Sequence, residues 1–156
     1  MQQTVALDAQ DLAILAALQE NGALTNAELA EKVRLSASQA SRRRSRLEEA
    51  GVIRGYRAEV DAARMGFGVT VFIQVTLATH SGQNARRFRD LVAHTPAILE
   101  AHALTGDADY LVKALVEDLP ALGRLVNEVL LPHESVERVR SNVVLETLKQ
   151  GTKLPL

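Results

Sequence analysis

Apolar residues recur at helical spacing through the first third of the chain, and each run opens at a group able to cap a helix. Asp8 precedes a run through Leu12, Leu15 and Leu18 that Asn21-Gly22 closes, and a shorter run through Leu29 and Val33 follows Thr25-Asn26-Ala27-Glu28. That tetrapeptide is a capping box, in which the hydroxyl and the carboxylate satisfy free amide groups at the helix start. Ser36-Ala37-Ser38-Gln39 repeats the pattern and starts a helix to about Ala50, where Gly51 stops it. Two capped helices with about three residues between them predict a helix-turn-helix.

After Gly51 the period changes, and Val52 to Val60 predicts a strand or short hairpin leaving the helical unit, so that the helix-turn-helix is winged or plain. Gly66-Phe67-Gly68 marks a boundary. Beyond it Val69, Val71, Ile73, Val75 and Leu77 alternate with mostly polar partners, the mark of a strand with one face on a core. Phe88, Leu91 and Val92 predict a helix ending before Pro96, and Ile98 to Thr105 and Tyr110 to Val116 predict strands joined by a tight Gly106-Asp107-Ala108-Asp109 turn. Leu119, Leu122, Val126, Val129 and Leu130 predict a second helix, with Pro120 tolerated in its first turn, and Val136 to Leu148 a last strand. The order is the split βαββαβ pattern, an antiparallel sheet with two helices on one face. The fold class is therefore α+β: a helix-turn-helix domain at 1–60 with a linker to about 66, then a ferredoxin-like βαββαβ domain at 67–150.

Composition narrows the function. Apolar residues are 47% and charged residues 24% of 156, a globular balance. Aromatics are only 3%, so the cores must be built of Leu, Val, Ile and Ala. No window reaches the roughly 18 apolar residues needed to span a bilayer, and the start MQQTVALDAQ lacks the basic-then-apolar layout of a secretion signal. A cytoplasmic location with no membrane partner is expected. With no cysteine, disulfides, thiolate metal sites and a cysteine nucleophile are excluded. His80, His94, His102 and His133 lack the spacing of a helical zinc site, and Gly66-Phe67-Gly68 has neither a third glycine nor a following helix. Neither an enzyme, a metal nor a cofactor is expected.

Charge matters as a pattern. Lys plus Arg number 18 against 19 Asp plus Glu, yet Lys32 to Arg46 holds six basic residues and no acid. Residues 65–156 hold nine basic and ten acidic residues in mixed order, so any nucleic-acid contact belongs to the first third. A helix that enters the major groove shows polar groups outward and anchors its inner face on a small apolar core. In the helix from Ser36, Ala40 and Leu47 share the inner face. Ser36, Ser38, Gln39, Arg42, Arg43 and Arg46 are the candidate DNA contacts, arginine suiting guanine, glutamine adenine, and hydroxyls phosphate. Arg44 falls between Ala40 and Leu47, so its head is expected to reach an acid or a phosphate, since a dry unpaired guanidinium is too costly.

Leu7-Asp8 with Ile14-Leu15, Thr25 to Ala30, Leu35-Ser36, Arg42-Arg43, Arg46 to Ile53, Gly66, and Thr105-Gly106-Asp107-Ala108-Asp109-Tyr110 form an ordered set of motifs. Together they resemble the Lrp/AsnC family, the leucine-responsive and asparagine-responsive regulators of bacteria and archaea. The chain departs from the usual pattern at Arg44, and often at Ser41, where the family prefers apolar residues. The resemblance implies a regulator that binds double-stranded DNA at a rough palindrome, and whose second half resembles the family's RAM/ACT-like sensor domain. That half would dimerise the protein, stack dimers into tetramers or octamers, and bind an amino-acid or similar effector between subunits. The effector residues implied are Thr105, Gly106, Asp107, Asp109 and Ser141. Aspartates could accept from an ammonium group, and the Gly106 turn and Ser141 could donate to a carboxylate. The other role open to Gly-Asp-Ala-Asp is that of a strand-connecting turn. The alternative function is an effector-independent DNA-architectural or small-molecule-binding oligomeric module.

Overall fold

The structure is a computed structural model that describes residues 6–151 and 153–156; Met1 to Val5, on which the expectation about a leader partly rests, and Thr152 lie outside the described residues. The chain divides into two compact units, Met1–Glu59 with Lys149–Leu156, and Val60–Leu148.

The first unit holds α1 (Ala9–Glu20), α2 (Asn26–Val33) and α3 (Ala37–Glu49). Each starts at a reciprocal capping box: Asp8 with Asp11, Thr25 with Glu28, and Ser36 with Gln39. Arg34 has left-handed backbone geometry (φ 55°), which closes α2 and lets α3 begin within three residues, at a cost of about 1 kcal/mol for a residue with a Cβ. The core is Ile14, Leu18, Leu24, Leu29, Ala30, Val33, Ala40 and Leu47. Leu12 is exposed, and the buried stripe of α1 is Asp11, Ile14 and Leu18 rather than Leu12, Leu15 and Leu18. An apolar count cannot find a stripe whose first member is an acid.

The expected strand or hairpin at Val52 to Val60 does not form. The amides of Val52 and Ile53 both donate to the Leu47 carbonyl (3.0 and 3.1 Å) and their side chains pack on the helical core. They close α3 instead of opening a ladder, and among the described residues nothing pairs with the extended segment that follows. The tail returns to the same unit: Leu154 N–H donates to Gln19 Oε1 (2.6 Å) and Lys153 pairs with Glu20 (2.8 Å) on α1.

The second unit runs β1 (Val69–Leu77), α4 (Gly82–Ala93), β2 (Ile98–Ala103), β3 (Tyr110–Val116), α5 (Leu119–Arg124) with a π-helical continuation (Leu125–Leu130), and β4 (Val136–Val143). The sheet order is β2-β3-β1-β4, antiparallel throughout. Val71, Ile73, Val75 and Leu77 of β1 and Val112, Ala114 and Val116 of β3 bury one face under Phe88, Leu122, Leu125 and Leu130 of the helices. Two bounds differ from expectation. β4 stops at Val143, opposite Val71, because β1 begins at Val69 and offers only the Thr70 carbonyl to Val144 (2.9 Å). The β2–β3 connection is wider than a tight turn: Ala103 pairs with Tyr110, while the Asp109 amide turns to the Val75 carbonyl (3.0 Å) of β1. Gly106 stands in this loop at φ 138°, a geometry that suits glycine. Among the described residues no helix is long and apolar enough to cross a membrane.

Candidate functional site

Helix α3, the second of the helix-turn-helix pair, has two stripes. Ser38, Arg42, Ser45 and Glu49, spaced i, i+4, i+7, i+11, are all exposed. Ala40, Arg43, Arg44 and Leu47, spaced i, i+3, i+4, i+7, form the inner stripe, with Ala40 and Leu47 fully buried. Arg43 and Arg46 do not stand free: Arg43 lies on the inner stripe and Arg46, though half exposed, is tied to an acid. Arg43 Nη1 donates to both Asp8 oxygens (2.9 and 2.7 Å) and to Asp11 Oδ1 (2.8 Å). Arg46 Nη2 donates to Asp11 Oδ2. The Asp11 side chain is 1% exposed. Burial alone would raise its carboxyl, but the Asp8 amide and the two guanidinium groups together hold it below the usual aspartate range. Asp8 is held low by the Asp11 amide and then by Arg43, and Arg43 is raised in turn by both acids.

Arg44 behaves as its position requires. Its Nε donates to Glu48 (3.2 Å) and to the Tyr56 hydroxyl (2.9 Å), its Nη1 donates to the Leu24 carbonyl (2.8 Å), and its head lies 4.6 Å from the Tyr56 ring centre. An acid, a carbonyl and an aromatic face thus replace the apolar contact. Tyr56 is raised by burial and by its bond to Glu48. Ser36 and Gln39 are engaged as well: Gln39 Oε1 accepts from the Ser36 amide (3.2 Å), and Ser36 Oγ accepts from the Gln39 amide (3.2 Å). Gln39 keeps only its N–H groups for a base edge, so bidentate adenine pairing would require the cap to open. Ser38 Oγ touches Ser36 Oγ (3.2 Å) and remains on the exposed stripe. Among the described residues Arg42 has no ion pair.

In the sheet unit, a cavity of about 620 Å³ opens on the face that carries no helix, lined by Gln74, Thr76, Leu104, Thr105, Asp107, Ala108, Arg138 and Arg140. Strand register builds it, because Thr76 lies opposite Arg138 and Gln74 opposite Arg140, so all four point to one side. Among the described residues, Arg138, Arg140 and Asp107 make no ion pair. Thr105 and Asp107 are thereby brought together, with Gly106 between them in the loop. Asp109 and Ser141 are not. Asp109 Oδ2 accepts from the Leu77 amide (2.7 Å) and its Oδ1 lies 3.3 Å from His80, so it ends β1 and lines a separate cavity of about 360 Å³ beside α4. Ser141 lies opposite Ile73, on the side of the sheet away from the arginines. Sequence reading missed Gln74, Thr76, Arg138 and Arg140; their period-two spacing on two strands was visible, but the register that joins them was not.

The comparisons with known proteins cover both units. Residues 7–54 match the model described as winged helix-turn-helix DNA-binding, and residues 70–154 match the Lrp/AsnC ligand binding domain. The chain is 38% identical to the leucine-responsive regulatory protein of Rhizobium meliloti over 97% of both chains. It is 35% identical to the Bkd operon transcriptional regulator of Pseudomonas aeruginosa over 96% of this chain and 98% of that one. Among solved structures, a Neisseria meningitidis transcriptional regulator in complex with L-Met superposes with a TM-score of 0.93 at 39% identity, covering 96% of this chain and 97% of that one. An AsnC family regulator from Agrobacterium tumefaciens superposes at 0.90 with 35% identity and the same coverage. With both units matched in order and at full length, the chain belongs to the Lrp/AsnC family of transcriptional regulators, with one DNA-binding and one ligand-binding domain.

Proposed function

We propose that this regulator binds a roughly palindromic operator as a homodimer or a higher assembly of dimers, and that a free amino acid held at the open sheet face biases that assembly. The observation that carries the effector reading is one cavity lined by Arg138, Arg140 and Asp107, none of which makes an ion pair among the described residues. Arg138 and Arg140 suit an α-carboxylate, Asp107 an ammonium group, and Thr105, Thr76 and Gln74 supply further hydrogen bonds. L-Met is the first ligand to try, because the Neisseria relative carries it. Self-association is supported by the same face, where Phe72 is exposed and Leu111 and Leu115 are half-buried with no helix over them. On DNA, Ser38, Arg42 and the Gln39 amide are the groups best able to meet base edges or phosphates, with two copies of α3 about 34 Å apart along the duplex.

The test is a thermal-shift panel of the twenty amino acids on the full chain, followed by sizing of each hit. A ligand at 100 times its dissociation constant adds about 2.7 kcal/mol to native stability. A hit lost in both Arg140→Ala and Asp107→Ala is expected; a hit retained by both variants would move the effector out of this cavity.

A further inference from the structure

Four arginines crowd α3 within five positions, yet three of them are matched by acids of the same unit. Arg43 and Arg46 meet Asp8 and Asp11, and these four groups sum to zero charge. Arg44 meets Glu48 one turn along the helix. Only Arg42 has no acidic partner among the described residues, and it stands on the exposed stripe with Ser38 and Ser45. The matched arginines also run in different directions from the helix. Arg43 and Arg46 reach α1 through an acid that is 1% exposed, whereas Arg44 reaches the Leu24 carbonyl at the α1–α2 connection and Tyr56 beyond α3.

We infer that Arg43 and Arg46 are positioning residues, locked by Asp8 and Asp11 to set the rotation of α3 against α1, and that Arg42 supplies the charge of this helix that DNA registers. The inference rests on the DNA-binding reading. Its physical content is a counterion count. A protein releases salt ions from the duplex in proportion to the net positive charge it brings to the phosphates, so a neutral quartet releases almost none. Fixing the rotation of α3 matters because the side chains that read base edges do so over a few tenths of an ångström and a narrow range of angles. A structural ion cluster with no part in recognition would change stability alone. The positioning role moves site preference and salt slope separately.

The experiment uses the full chain with two duplexes, one from the DNA upstream of its own coding sequence and one scrambled at equal composition, each titrated from about 50 to 200 mM salt. Arg42→Gln should lower the slope of log K against log salt by about 0.9 for each helix-turn-helix unit on the duplex. Arg46→Gln should leave that slope within about 0.3 of wild type while cutting preference for the native duplex about tenfold, with Arg46→Lys restoring the preference. Asp11→Asn should steepen the slope and tighten the scrambled duplex, since Arg46 loses its acid while Arg43 keeps Asp8, which leaves the quartet one net positive charge. The inference is overturned if Arg46→Gln flattens the slope as much as Arg42→Gln, or if a folded Asp11→Asn keeps wild-type slope and preference. Should Asp11→Asn not fold, the Arg46 pair decides alone, because that side chain is half exposed. A wild-type protein without preference for the native duplex would refute that duplex as an operator, whereas the slopes on scrambled DNA still test the charge count.

Discussion

The two units keep their shape by different means. The sheet unit is held by a dry layer of Val71, Ile73, Val75, Phe88, Val112 and Leu130, where any well-packed apolar set of the same volume would serve. The helical unit has a smaller apolar core and adds a polar one: a buried aspartate clamped by two arginines, and a third arginine threaded between an acid, a carbonyl and a tyrosine. Apolar burial is strong but has no direction, whereas charged hydrogen bonds work only at one rotation and one distance. The unit that must aim side chains at DNA carries the directional contacts, and the unit that must hold a sheet together carries the non-directional ones.

The largest expected effect breaks the apolar side. Phe88→Ala removes the largest buried side chain of the sheet unit and should cost about 3–5 kcal/mol there, measured by urea unfolding, with the Tyr56 signal of the helical unit followed in a Tyr110→Phe background. A simultaneous loss of equal size at Tyr56 would mean that the two units do not have separate stabilities.

Next, Asp11→Ala should cost the helical unit about 3 kcal/mol, near the low end for breaking a buried pair because half-exposed Arg46 can return to water. A change below about 1 kcal/mol in the same Tyr56 assay would reduce the clamp to an ordinary surface pair.

Acid sharpens the same point. The Asp11 carboxyl is depressed in the folded state, so its contribution is present above the unfolded value of about 3.9 and is lost as pH falls through the lower folded value. The stability gap between wild type and Asp11→Asn should therefore be constant from pH 7 to 5 and shrink below about 4. A gap that persists unchanged at pH 3 would separate it from ionisation.

The smallest effect is at a cap. Ser36→Ala removes the acceptor for the Gln39 backbone amide and should cost about 1 kcal/mol, with the Gln39 side chain then held by the backbone amide of residue 36 alone. Equal stability and unchanged DNA affinity together would leave the Ser36 box without a role.

Much of the fold was legible along the chain because its signals are local. The boxes at Thr25 and Ser36 need only three residues to declare a helix start, and the alternation from Val69 to Leu77 needs only nine to declare a half-buried strand. The failures share one cause, which is dependence on a distant partner. Val52 to Val60 has strand composition but, among the described residues, no strand beside it, and Glu146 to Leu148 runs past the start of β1. Arg43 looked outward because it is charged, although its spacing from Ala40 and Leu47 puts it on the same stripe as Arg44; the missing information was an acid on another helix.

The sequence by itself determined the three helices of the first unit, the βαββαβ order of the second and the family, since capping, periodicity and motif spacing are carried by neighbouring residues. Tertiary structure alone decided which arginine remains unmatched on α3, that Thr105 and Asp107 share a cavity with Arg138 and Arg140, and that Asp109 and Ser141 lie elsewhere. Those outcomes depend on strand register and helix rotation, since a shift of one residue turns a strand side chain to the opposite face and a helical one by about 100°.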